Sequence, residues 1–411
     1  MRLLTDVTYL IAVILAAPYW FTRMLVKGKL KTDWLSRFGC GSTLPDPGKH
    51  RRILIHAVSV GEVNAIRSLV ARLEIESDVE LVIASTTDTG IERARDLYGD
   101  RHQVVRYPLD LSWSVRRFIR RMRPAVSCLV ELEVWPTYVA ECQRVRCPVI
   151  VINGRLSERS FRRYRLVRPL LRPSFRRLGE VLVQNQEYAD RFVAMGVPEN
   201  TVKVVGSLKW DNANAELTRS DSLRAELGID SGRLLVVAGS TAPGEHELLH
   251  DAVPSGVQLL CAPRRPEWFN EAAQVLHGCT RRSTGVFGTN PDRYLLDTIG
   301  ELSQAYALAD IVVIGRSFGS LHGSDVSEPA GLGKPVVVGP AVEDFKDIVE
   351  LLLAENAIIQ CDAKDLSSRL ASLIESSQQR DDLSKKAASV MQGLRGASEK
   401  TAAVILDVVG G

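Results

Sequence analysis

The residues able to do chemistry in this chain gather at turns that follow short apolar runs. One such region is Gly300–Pro340. There Ile311–Ile314 is a β-branched run that ends at Gly315, as a buried parallel strand does. Gly315-Arg316-Ser317-Phe318 follows, and Glu328-Pro329-Ala330 opens a helical pattern with Pro in its first turn. A second apolar run, Pro335–Val338, ends at Gly339-Pro340. Backbone N–H groups at strand-to-helix turns suit a phosphate, and a nearby carboxylate can take a ribose diol. No Gly-x-Gly-x-x-Gly opens the chain, so the pattern fits a nucleotide sugar rather than NAD. In the first half, Ile53–Val58 runs into Ser59-Val60-Gly61-Glu62. Glu62 either points into a ligand cleft or pairs with the dipole of the helix it opens. Glu131-Leu132-Glu133 follows the apolar run Val126–Val130. Two acids at i and i+2 on a strand share a face, where they line a cleft or pair with an arginine. Ser85–Gly90 reads as an N-cap with its turn.

The elements that must position these groups alternate between β-branched runs and helical patterns, which predicts βαβ units and parallel sheets. The first half should supply strands at Ile53–Val58, Leu81–Ser85, Val126–Val130, Val149–Ile152, Val181–Gln184 and Val202–Val205. The second should supply Leu234–Ala238, Gln258–Cys261, Tyr294–Leu296, Ile311–Ile314, Pro335–Val338 and Ala357–Gln360. The fold class is α/β, with two Rossmann-like sheets of about six strands each facing a cleft. Expected segments are a membrane-anchoring helix at 1–30, a domain at 31–209, a polar linker at 210–222 and a domain at 223–411. The last helix of the second domain can pack back on the first.

Composition narrows the partners. The 411 residues carry a net charge of +3, yet residues 1–211 hold 34 Lys+Arg against 22 Asp+Glu, or +12. The remainder holds 18 against 27, or −9, so only the first half is built to meet an anion. Nine arginines fall between Arg155 and Arg177 against the single acid Glu158. Aromatic interleaving and nucleic-acid motifs are missing, which favours anionic lipid headgroups or a phosphorylated glycolipid over nucleic acid. Between Asp6 and Arg23 lie sixteen uncharged residues ending near Tyr19 and Trp20, followed by Arg23, Lys27, Lys29 and Lys31. Basic residues after the apolar run favour retention on the cytoplasmic face over export. Seven scattered cysteines without a Cys-x-x-Cys pair argue for reduced thiols, and the seven histidines form no metal-ligand cluster.

Ten motifs, in order along the chain, carry a resemblance. They are His56–Val63, Thr86–Gly90, Tyr107–Asp110, Glu131–Pro136, Asn153–Ser157, Gly206–Lys209, Gly239–Thr241, Pro263-Arg264, Gly300–Leu302 and Glu328–Ala330. The chain resembles the 3-deoxy-D-manno-octulosonic acid (Kdo) transferases, inner-membrane GT-B glycosyltransferases that pass Kdo from CMP-Kdo to the lipid A precursor. The resemblance implies an inverting, metal-independent transferase without a cofactor, working on the cytoplasmic side of the inner membrane. Glu62 then matches the general base, and Glu131 and Lys209 match groups that stabilise the transition state. Pro263, Arg264, Gly300, Glu301, Leu302, Asp325, Val326, Ser327 and Glu328 match CMP-donor contacts, with Glu328 on the ribose. Ser240 and Ser317, at turns opening helices, are phosphate neighbours or N-caps.

The chain also departs from the family pattern. His322-Gly323-Ser324-Asp325 stands where the family has Gly-Gly-His-Asn, and Arg265 and Trp268 replace His and Arg after Pro263. Asp325 adds negative charge near the donor unless it bonds the ribose or the backbone. Arg265 is placed to offset that charge, and Trp268 to cover the base. The other readings are a GT-B enzyme for another CMP- or UDP-sugar, and a non-catalytic lipid A or nucleotide-binding relative.

Overall fold

The computed structural model describes residues 33–41, 43–212 and 220–410. The chain divides into two compact units, Met1–Asp211 with Gly396–Gly411, and Asn212–Arg395. The expected anchor at 1–30 and most of the expected linker lie outside the described residues. Among the described residues no helix is long and apolar enough to cross a membrane.

The first unit is built on seven parallel strands: β1 (Arg51–His56), β2 (Val79–Ser85), β3 (Gln103–Arg106), β4 (Val126–Val130), β5 (Val149–Gly154), β6 (Val181–Val183) and β7 (Val202–Val204). Their order is β3-β2-β1-β4-β5-β6-β7. Chain order reverses between β1 and β4, which pair with Ile53 opposite Val126 and His56 opposite Leu129. The loops after these two strands emerge side by side, the position where open α/β sheets bind ligands. Helices cover both faces, so β4 and β5 are buried throughout and read as unbroken apolar runs. The final helix, Ala397–Gly410, belongs to this unit. Asp211 fastens its start by accepting the Gly396 N–H at 2.8 Å and the Ser398 N–H at 2.6 Å.

The second unit has β8 (Leu235–Thr241), β9 (Gln258–Pro263), β10 (Thr280–Arg281), β11 (Arg293–Leu295), β12 (Ile311–Ile314), β13 (Val336–Val338) and β14 (Ile359–Gln360). All pair in parallel, in the order β10-β11-β9-β8-β12-β13-β14. Here the reversal lies between β8 and β12. Each sheet thus has seven strands where the pattern predicted six. The two strands the pattern missed, β3 and β10, are edge strands of four and two residues. An edge strand is covered by less of the core and carries a weaker apolar run, as Gln103-Val104-Val105-Arg106 does.

Candidate active site

Glu62 stands in the first turn of the helix that follows β1, at the reversal point of the first sheet. Ser59 caps the helix Val60–Ala65, its side chain accepting from the Glu62 N–H. In return the Ser59 hydroxyl donates to Glu62 Oε1 and the Val58 N–H to Oε2, both at 2.8 Å. This reciprocal cap fixes the carboxylate's position. The loop after β2 holds the turn from below: Ser85 Oγ and Thr87 Oγ1 both donate to the Val58 carbonyl, at 3.2 and 2.8 Å. Gly90 lies so close that a Cβ there would stand 2.7 Å from that carbonyl oxygen. Burial pushes the Glu62 carboxyl up from 4.5 to about 7; the bonds from Val58 and Ser59 oppose that rise, and the charges of Glu131 and Glu133 add to it. The structure bears out the reading of Glu62 as a helix-start acid. It is also a carboxyl tuned to change ionisation near neutral pH.

Glu131 follows β4 directly. Its backbone turns left-handed, with φ of +61°, so the strand ends there and alternation does not set the directions of Glu131 and Glu133. The expectation of two acids sharing a strand face is corrected: a turn brings them near Glu62, not a pleat. Glu133 accepts from the Trp135 indole at 2.7 Å, and burial raises its carboxyl above the usual range. Asp110 holds the far end of this turn, accepting the N–H groups of Thr137 and Tyr138 at 3.0 and 2.7 Å. Lys209 Nζ lies 3.9 Å from Glu131 Oε1. Buried Asn153, left-handed at φ +52°, accepts the Leu208 N–H at 3.1 Å and so sets the turn that carries Lys209. Glu62, Glu131, Glu133 and Lys209 are therefore grouped by the segments that follow three strands, β1, β4 and β7.

His56 is fully buried beneath this group. Its ring stacks on Tyr107 at 3.5 Å and its Nε2 meets Thr86 Oγ1 at 2.8 Å. Burial pulls its pKa down to about 3, so it stays neutral at working pH. It braces the loops and takes up no second proton there.

In the second unit, the residues expected to meet the donor cluster after β9, β11 and β12. Pro263 ends β9, and the Arg264 N–H donates to the Thr241 carbonyl at 3.0 Å. Gly300 takes φ of +97°, which favours glycine. Glu301 is held by Arg282 at 3.0 Å and by the Thr298 hydroxyl, and Leu302 begins the helix Leu302–Leu308. Glu328 accepts from the Ser303 hydroxyl of that helix. The phenol of buried Tyr306 is raised by burial and by the charges of Glu328 and Asp325, with Arg264 opposing. One ring thus reports all three side chains in its neighbourhood. Val326 is fully buried, and Ser327 begins a short helix.

The departures from the family pattern now have local explanations. Asp325 Oδ1 accepts the Ser327 N–H at 2.9 Å and also its hydroxyl. An amide oxygen makes the same backbone bond, so Asp and Asn are interchangeable for the turn. Arg265 lies over the Trp268 ring at 5.0 Å and 3.5 Å from Glu267, which engages both residues with their immediate neighbours. Ser317 differs from expectation. It is fully buried, its hydroxyl donating to the Ile314 carbonyl and accepting from the Gly339 N–H, and its own N–H goes to Glu245. Ser317 braces the turn and offers neither group to a ligand. Glu245 was not foreseen; its only signal was a Gly-Glu pair opening a helix after β8.

A family model for 3-deoxy-D-manno-octulosonic-acid transferase (kdotransferase) matches residues 32–212. The 3-deoxy-D-manno-octulosonic acid transferase of Haemophilus influenzae is 31% identical over 379 residues, 88% of this chain and 87% of that protein. This chain belongs to the Kdo transferase family. The enzyme of the same name from Bordetella pertussis is 30% identical over 403 residues, 91% of either chain. A UDP-GlcNAc 2-epimerase from Neisseria meningitidis superposes with a TM-score of 0.62 at 10% identity, over 87% of this chain and 100% of that one. That likeness shows the GT-B-like fold alone. As a Kdo transferase the chain is a glycosyltransferase, and the motifs of its first unit divide into residues at the turn ends and residues that pin those turns. Thr87, Asp110 and Asn153 pin the turns that carry Glu62, Glu131 and Lys209. No group of three or more His, Cys, Asp or Glu able to hold a metal occurs among the described residues.

Proposed function

We propose that this Kdo transferase moves Kdo from CMP-Kdo to a hydroxyl of the lipid A precursor, without a metal and in one inverting displacement. The first unit carries the acceptor and the second the donor. The acceptor oxygen attacks the anomeric carbon of Kdo as its proton passes to Glu62. The bond from that carbon to the CMP phosphate breaks, and CMP leaves with the electron pair. A carboxylate of ordinary pKa is a weak base for an alcohol, so transfer is concerted with bond formation. Glu62, raised to about 7, is a stronger base than an exposed carboxylate and is still largely ionised just above neutrality. The reading rests on the family match and on the bonds from Val58 and Ser59 that fix the Glu62 carboxylate. Lys209, oriented by Glu131, and Arg264 meet the negative charge that grows on the departing phosphate.

The arginine-rich stretch after β5 supports a membrane-bound acceptor. Its helices Glu158–Leu166 and Arg168–Phe175 pack inward through Phe161, Tyr164, Leu171 and Phe175. They leave Leu166 83% exposed, with Val167 and Leu170 also exposed, beside arginines. Apolar side chains rimmed by positive charge suit the anionic cytoplasmic surface of the inner membrane, each basic residue contributing about 1 kcal/mol. The test is to incubate the purified protein with CMP-Kdo and lipid A precursor, with and without chelator, and follow product mass. A gain of one or more Kdo masses in both samples is expected. No gain, or a gain only when divalent metal is present, refutes the reading.

A further inference from the structure

The turn after β12 presents three successive backbone N–H groups, from Arg316, Ser317 and Phe318. Such a run of amides is an anion-binding nest. In this structure the anion is the chain's own Glu245. Its Oε1 accepts from Ser317 and Phe318 at 3.0 and 3.1 Å, and its Oε2 accepts from Arg316 at 2.7 Å. Oε2 also takes the Ala242 N–H at 3.0 Å, so one carboxylate binds four amides across the reversal point of the second sheet. Glu245 is only 5% exposed.

The backbone around it is shaped for this contact. Ser240 and Arg316, neither of them glycine, are left-handed at φ +58° and +60°. Gly315 lets the two strand ends touch, since a Cβ there would lie 2.5 Å from Thr241 Cα. Left-handed non-glycine residues persist where surrounding contacts over-determine them. Downstream, the Arg316 guanidinium donates to the Leu321 carbonyl at 2.8 Å, and the Gly323 N–H donates to the Arg316 carbonyl at 2.8 Å. The loop 316–323 is therefore closed on Arg316, whose backbone Glu245 holds. Asp325 and Glu328 follow it directly.

We propose that Glu245 is a positioning residue for donor binding: an internal carboxylate that fills the nest and fixes the loop from Arg316 to Asp325. This rests on the second unit being the donor unit. It also means that these three amides do not bind the donor's phosphate, which is left to other groups such as Arg264. Glu245 touches no reacting atom, so its removal weakens donor binding more than it slows turnover.

The test measures CMP binding by calorimetry, and KM and kcat for CMP-Kdo, on the full-length protein. Glu245→Gln keeps the volume but turns an NH2 toward amide donors; Glu245→Ala empties the nest. Both should raise the CMP Kd and the KM at least tenfold, with kcat changed less than threefold. Added acetate, a free carboxylate, should restore binding saturably to Glu245→Ala and leave the wild type unchanged. Simple loss of folding does not respond to acetate in this way, and thermal melting of Glu245→Gln separates the two. Equal CMP affinity in wild type and Glu245→Gln overturns the proposal, as does a fall in kcat at constant KM. If the wild type binds no CMP at all, the donor reading of the unit fails, and this inference fails with it.

Discussion

Replacing Glu62 by Gln is the sharpest perturbation of the proposed chemistry because it changes charge and basicity with little change in shape. The amide oxygen can still accept from the Val58 N–H, and the Ser59 hydroxyl can accept from the amide NH2 in place of its present donation to Oε1. Loss of a positioned base should lower kcat by about 10²–10⁴-fold. The wild-type pH profile supplies a second, independent magnitude. A carboxyl at about 7 is mostly protonated at pH 6 and mostly ionised at pH 8. Activity should therefore rise roughly tenfold across that interval and level off above it, whereas an ordinary carboxyl is already ionised throughout. Stability moves the opposite way. The folded pKa lies above the unfolded one, so the folded state holds its proton more tightly; that contribution is fully present below about 4.5 and lost as pH rises through about 7. The full shift corresponds to roughly 3 kcal/mol, reduced to about 1–2 for a carboxyl that water still reaches. Glu62→Gln should remove this loss, so its melting temperature relative to wild type should improve from pH 5 to pH 8. Initial rates of Kdo transfer, read by product mass, and melting curves at matched pH check both halves. A flat wild-type profile from pH 5.5 to 8.5, or a variant keeping more than a tenth of wild-type kcat, refutes the assignment of Glu62 as base.

Glu131→Gln removes a charge that raises the Glu62 carboxyl, so the inflection of the pH–rate profile should move to lower pH; an upward shift would contradict that electrostatic account. Gly315→Ala places a Cβ 2.5 Å from Thr241 Cα and 2.7 Å from the Ser240 carbonyl oxygen. Neither backbone can retreat freely, so calorimetry should show a loss of about 2–4 kcal/mol. Asp211→Ala frees two N–H groups at the start of the last helix and should cost about 1–2 kcal/mol, with faster hydrogen exchange in Ala397–Gly410 as the local readout. Changing Arg159, Arg163 and Arg165 together to Gln should weaken binding to anionic vesicles by about fivefold per residue at low salt and by less at high salt. Co-sedimentation across a salt series checks the slope.

The legibility of this fold followed burial. Strands such as β4 and β12 are covered on both faces, so Val126–Val130 and Ile311–Ile314 stand out as continuous apolar runs and were read at their observed bounds. The edge strands β3 and β10 are short and mixed in character, and periodicity carried too little signal to mark them. Turn chemistry was equally local: Glu62 is legible as the acid that opens a helix, and the structure adds that Ser59 and Glu62 cap each other. Glu131 shows where local reading stops. Its left-handed backbone ends the strand at Val130, before alternation could place Glu131 and Glu133 on one face.

What the chain determined by itself was the buried parallel strands, the turns between them and the family to which their motifs belong, because these depend on residues within a few positions of one another. Tertiary structure decided how the turns are held and tuned. Glu245 reaches amides 71 to 73 positions away, and Glu62 owes its raised pKa to lost water and to carboxylates 69 and 71 positions on. Ionisation and amide pairing are set by what surrounds a group in space. No pattern of neighbours along the chain encodes that until the sheet has brought its loops together.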